Sequence, residues 1–150
     1  MITIKNTQRK IPIDKDAVYH DACTILSYLG YTEYDLGIWF TSTRMIRSYN
    51  KMFRGKDKVT DILSFPFHED ADPDKPLQHS DPDLQNLGDL IIAPSYVDED
   101  RKQYDMTRDQ RLKVILVHGI CHLFGYDHIS DADYEKMHHK EQELLAHITP

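Results

Sequence analysis

Apolar residues along the chain alternate between two spacings, and the changes of spacing mark its elements. Ile2 and Ile4 take turns with polar neighbours, as on a half-buried strand. From Asp14 to Leu29 the apolar residues Val18, Ala22, Ile25, Leu26 and Leu29 recur at helical spacing, and Gly30 is a natural stop. The run LGIWFT (36–41) predicts a short strand. Ser42 can cap a second helix whose apolar face would be Met45, Ile46, Tyr49, Met52 and Phe53, ended by Gly55.

TDILSFPF (60–67) reads as a strand with Pro66 near its end, where a missing N–H does least harm. His68 to Leu87, rich in Pro, Asp and Ser, predicts a long surface loop. GDLIIAP (88–94) is a further strand, and Pro94 can open a short helix through about Gln103. Thr107 with Gln110 forms a capping-box pattern. It starts a helix that is apolar nearly all round from Val114 to Val117, hence the central buried one. A last helix follows Ser130, with Tyr134, Met137, Leu144 and Leu145 expected to face inward. About four strands and about five helices in this order predict an α+β fold: a small mixed sheet covered by helices, in a single domain over 1–150.

Bulk properties narrow the functional classes. No stretch approaches the roughly 20 apolar residues needed to span a bilayer, so no membrane role is expected. The opening residues lack a signal-peptide apolar block, and their mild basicity is too slight for a transit peptide. Cys23 and Cys121 lie in apolar helical patterns and are expected to be buried thiols rather than a disulfide. The net charge of −7 argues against indiscriminate nucleic-acid binding, but the charge is uneven. Arg44, Arg47, Lys51, Arg54, Lys56 and Lys58 share one stretch with a lone acid, Asp57, and can contact phosphates. Glu69, Asp70, Asp72, Asp74, Asp81 and Asp83 then follow with one lysine, Lys75.

The chemistry concentrates in HGICHLFGYDH, residues 118–128. Histidines at i and i+4 of a helix stand one above the other, so His118 and His122 can offer nitrogens to one metal ion. Gly125 lets the chain reverse, and His128 can complete the set. Three neutral ligands leave a fourth position open, as in catalytic rather than structural zinc sites. A lone histidine on an apolar face is ordinarily core, but three at this spacing around a glycine predict a ligand set. Zinc suits it, as would nickel or another divalent ion that accepts imidazole. The same spacing resembles the metzincin peptidases, whose glutamate general base follows the first histidine. Here that position is Gly119, which removes the peptidase chemistry.

Three blocks, YNKMFRGKDKVTDILSFPF (49–67), NLGDLIIAP (86–94) and the histidine block, together resemble the YbeY family of rRNA-maturation endoribonucleases. A weaker pattern around Met137 and Glu141 extends the likeness over most of the chain. The resemblance implies that His118, His122 and His128 bind the metal and that Arg54 is the active-site arginine. It implies a single-strand-specific, metal-dependent endoribonuclease acting in small-subunit rRNA maturation and ribosome quality control. The implied partners are single-stranded RNA, the small ribosomal subunit and one of its proteins. Val59 stands where the family usually has proline and Cys121 where leucine is common; neither change removes a functional group. NTQRKIPI, DLGI and FPFHE lean toward eukaryotic members, which implies a mitochondrial or other organellar location. A bacterial source would imply the cytoplasm.

The residues also speak to the chemistry directly. Arg54 can clamp phosphate oxygens in bidentate fashion, or else simply pair with the dipole of its own helix. Asp127, beside the third histidine, reads as a carboxylate that supports the ligands or the turn rather than as a base. No general base is evident. A ribosome-assembly factor with a structural metal, and another metallohydrolase, therefore remain as alternatives.

Overall fold

The structure is a computed structural model that describes residues 1–150. Its centre is a four-stranded sheet of order β1-β2-β4-β3, from β1 (Ile2–Asn6), β2 (Asp35–Phe40), β3 (Ile62–Pro66) and β4 (Asn86–Ile92). β1, β2 and β4 run parallel, and β3 pairs antiparallel with β4 at the edge. Five helices surround it: α1 (Lys15–Leu29), α2 (Thr43–Arg54), α3 (Pro94–Asp100), α4 (Arg108–Leu123) and α5 (Asp131–Ile148). A 3₁₀ turn, Arg101–Tyr104, extends α3. The α+β architecture, a mixed sheet covered by helices, is the one the sequence predicts. No helix is long and apolar enough to cross a membrane.

Strand alternation sorts side chains into two layers. Leu36, Ile38 and Phe40 of β2, with Leu90 and Ile92 of β4, face a core shared with α1, α4 and α5. On the other side Leu63, Ile91 and Ala93 pack with Ile46 of α2. The helices stop where their caps dictate. Asp14, Ser42, Thr107 and Ser130 each accept a backbone N–H at a helix start, Thr107 within a full capping box.

The amphipathic reading of two helices needs correction. In α2 only Ile46 and Asn50 are buried, while Met45, Met52 and Phe53 are exposed. Of α2, only Ile46 enters the second apolar cluster fully, with Tyr49 half-buried against Trp39 and Phe53 meeting Phe65 at its exposed rim. In α5 the buried stripe is Met137, Leu144 and Ile148; Leu145 is half-buried and Tyr134 is exposed. Both cysteines are free thiols, Cys121 buried and Cys23 half-buried. Burial raises the Cys121 thiol far above its ordinary range, so it stays protonated.

The loop after β3 is more tightly held than its composition suggests. Leu77 N–H donates to the Tyr31 hydroxyl at 2.9 Å, Lys136 of α5 pairs with Asp74, and a 3₁₀ turn at Pro82–Leu84 precedes β4. The loop also touches the turn after α4. Gly125 has φ +92°, and a Cβ there would lie 2.2 Å from the Ala71 carbonyl oxygen. Gly125→Ala must therefore strain its own backbone and push the loop away. We expect it to lower stability by about 2 kcal/mol or more, read as a reduced urea midpoint at unchanged slope.

Candidate metal centre

Helix α4 carries two of the three histidines and is held unusually close to the sheet. A Cβ at Gly119 would come within 2.5 Å of Ile62 Cδ1 and 2.9 Å of Leu90 Cδ2. Residue 119 thus faces the core, where a larger side chain would have to push the Ile62 and Leu90 methyls aside. The neighbouring position 118 and the next turn's 122 emerge at the half-buried margin of the helix. That explains the glycine after the first histidine: it sets the helix-to-sheet distance.

Each helical imidazole has one nitrogen fixed by an acceptor. His118 Nδ1 lies 2.9 Å from Glu141 Oε2 of α5, and His122 Nδ1 lies 2.9 Å from the Tyr126 carbonyl oxygen. A carbonyl can only accept, and so can an ionised carboxylate. Both Nδ1 atoms therefore carry the proton, and in the neutral ring each Nε2 then presents a lone pair. Those two Nε2 atoms stand 3.2 Å apart. Burial, then the adjacent His118, pushes His122 down to about 4, so above that pH its ring is neutral and able to ligate.

Two lone pairs aimed at each other repel unless a cation lies between them. The third imidazole closes the set: one nitrogen from each of His118, His122 and His128 lies within 4.8 Å of the others. A tetrahedral ion with bonds of 2.0–2.1 Å to nitrogen has ligand separations of about 3.3 Å, so the residues fit one such ion. An all-imidazole set suits zinc-like transition ions and not magnesium or calcium.

His128 belongs to the turn between α4 and α5, and that turn is bonded back to α4. Gly125 N–H donates to the His122 carbonyl and Tyr126 N–H to the Cys121 carbonyl. Asp127 Oδ1 accepts the backbone N–H of His128 at 2.8 Å. It shapes the turn and touches no histidine ring. The group that orients a ligand ring is instead Glu141, whose part the sequence reading did not recognise. A signal for it exists: 141 lies on the stripe 137–144–148, an acid among buried apolar positions.

The basic residues form an exposed strip along α2. Arg44, Arg47, Lys51 and Arg54 follow one another at spacings of three, four and three along α2, and all are exposed. Lys56 and Lys58 continue the strip past Gly55. Arg47 pairs with Asp57 at 2.8 Å, holding that carboxyl below its usual range. Arg54 ends the helix with no ion pair, and no hydrogen bond joins it to the histidines.

If Glu141 holds His118 in its ligating tautomer, Glu141→Ala should weaken metal binding about 10- to 100-fold while the protein stays folded. Competition with a chromophoric chelator measures this directly. Unchanged affinity would mean that the carboxylate is incidental to the site.

Comparison with known proteins places these features in a family. The family model described as endoribonuclease YbeY matches residues 3–149. Human endoribonuclease YbeY is 34% identical over 147 residues, covering 98% of this chain and 87% of that protein. Endoribonuclease YbeY of Thermodesulfovibrio yellowstonii is 35% identical, covering 99% and 98%. These near-equal identities do not separate a eukaryotic from a bacterial branch. A solution structure from Thermotoga maritima superposes with a TM-score of 0.64 at 23% identity, over 99% of this chain and 89% of that one, which supports the fold. With the family model spanning nearly every residue and the three histidines converging as they do, the chain belongs to the endoribonuclease YbeY family.

Proposed function

We propose that this protein is a metal-dependent endoribonuclease that cuts single-stranded RNA. We assign it to maturation of small-subunit ribosomal RNA and to ribosome quality control. The observation that carries the reading is the convergence of His118, His122 and His128, two of them with their tautomers fixed for ligation. Zn²⁺ is the ion that best suits three imidazoles with an open fourth position. Bound there, it would supply Lewis-acid charge to a phosphodiester and lower the pKa of a water molecule.

The chain's own groups complete the task. The unpaired guanidinium of Arg54 is free to take two phosphate oxygens, favouring the more highly charged transition state. Arg44, Lys51, Lys56 and Lys58 offer further phosphate contacts, so binding should weaken as salt rises. The partners in this reading are the small ribosomal subunit, its RNA and one of its proteins. The eukaryotic-leaning segments favour an organelle such as the mitochondrion, and a bacterial source would favour the cytoplasm.

One observation favours a second reading, a non-catalytic ribosome-assembly factor. The carboxylates near the histidines are already engaged: Glu141 with His118, Asp127 with its own turn, and Asp61 with Ile62 N–H at 2.7 Å. None stands without a hydrogen-bond partner.

Cleavage of a single-stranded RNA carrying the 3′ end of small-subunit rRNA separates the two. Wild type and His122→Ala, purified identically, are compared with and without chelator. The ribonuclease reading expects activity to vanish in the variant and under chelation. Equal or absent cleavage by two folded proteins would leave the assembly factor.

A further inference from the structure

A cleft of about 550 Å³ opens beside the histidines, lined by α4, α5, the turn Arg101–Tyr104 and Asp61. His118 and Glu141 belong to its lining. So does Arg111, which lies seven residues before His118 on α4 and therefore on the same side of the helix, about 10 Å away along its axis.

Arg111 is a buried cation, 8% exposed, and its environment is elaborate. Asp100 accepts from its Nε at 3.3 Å and its Nη2 at 2.9 Å, and Asp61 stands 3.6 Å from Nη2. Its guanidinium lies over the Tyr104 ring, with Cζ 3.9 Å from the centroid. One face of Tyr104 is thus covered by the buried, hydrogen-bonded guanidinium, yet the residue is 51% exposed. Tyr104, like Arg111, lines the cleft. On the α5 side, the exposed Tyr134 and His138 add a pair of parallel rings, with centroids 5.9 Å apart and an interplanar angle of 3°.

A tyrosine that only closed off an ion pair would gain most by burying both faces. Here one face is braced and the other left open, beside a candidate metal centre. Two carboxylates, Asp100 and Asp61, face the one guanidinium of Arg111, and Glu141 accepts from the His118 ring, so the cleft offers no free cation for a phosphate. Flat groups with polar edges fit such a place, and single-stranded RNA is recognised by stacking its bases on aromatic and guanidinium planes.

We propose that this cleft is a nucleobase subsite in which a base close to the cleaved position stacks on the open face of Tyr104, braced by Arg111. The proposal rests on RNA being the substrate, as argued above. It assigns Tyr104 to reading the strand and Arg111 to positioning Tyr104, with the charged contacts left to the α2 strip.

The test is binding of a short, labelled 2′-O-methyl oligoribonucleotide by fluorescence anisotropy, beside an abasic strand of equal length. Wild type, Tyr104→Ala, Tyr104→Leu and Tyr104→Phe are compared, each checked for folding by thermal melting. Loss of the ring should weaken binding of the base-bearing strand about tenfold in both Tyr104→Ala and Tyr104→Leu, while Tyr104→Phe stays near wild type. On the abasic strand all four should bind alike. If Tyr104→Ala fails to fold, Tyr104→Leu, which still covers Arg111, carries the comparison. Equal binding of the base-bearing strand by wild type and the ring-less variants overturns the subsite and leaves the ribonuclease reading standing. So does a loss of the same size on the abasic strand. Absence of RNA binding by wild type overturns both. Ring-dependent binding without His122-dependent cleavage keeps the subsite and removes the nuclease.

Discussion

The site hangs on two lone pairs held 3.2 Å apart, those of His118 Nε2 and His122 Nε2. Left alone they repel, and an imidazole free to rotate would turn away. Both are prevented from turning because the opposite nitrogen of each ring donates to a fixed acceptor. One acceptor is a side chain from α5, and the other is a carbonyl in the turn that also carries His128. The ligand set is therefore coupled to two packing relations, α5 against α4 and the turn against the end of α4. Disturbing either loosens a nitrogen that no other contact holds.

Those relations depend in turn on how closely α4 approaches the sheet. A Cβ at residue 119 would meet the Ile62 and Leu90 methyls at 2.5–2.9 Å, so glycine there lets the helix lie at this depth with those side chains in place. The cost of a mid-helix glycine is about 1 kcal/mol relative to alanine, and close packing along a helix buried from Ile115 to Leu123 offsets it. The position that would hold a glutamate base in a metzincin peptidase is thereby committed to the core. Fold and chemistry make the same demand at that residue.

Much of this was legible in the chain. Element order follows from spacing and caps, because Asp14, Ser42, Thr107 and Ser130 are strong local starts and Gly30 and Gly55 strong local stops. The three histidines were legible because their convergence is nearly a property of one helix and one turn. Glu141 was not, since its meeting with His118 joins residues 23 apart through helix packing. The exposure of Met45, Met52, Phe53 and Tyr134 was also hidden. Periodicity shows which side of a helix is apolar, but the width of the surface opposite decides how much of that side is covered. The hold on the 68–87 loop was invisible for a similar reason, as it depends on Tyr31 and on the space beside Gly125.

Net charge poses the remaining physical question, since a chain at −7 must attract a polyanion. Its acids are for the most part neutralised locally or placed elsewhere. Asp98 lies between Arg101 and Arg108, Asp100 holds Arg111, Asp21 holds Lys113, and a run of acids sits in the loop before β4. The α2 strip has only Asp57 against it, so its field reaches outward nearly uncancelled within a screening length of about 8–10 Å. Under the proposed stacking on Tyr104, the cleft beside the histidines, where Asp61 and Asp100 face the one Arg111, contributes planes rather than positive charge.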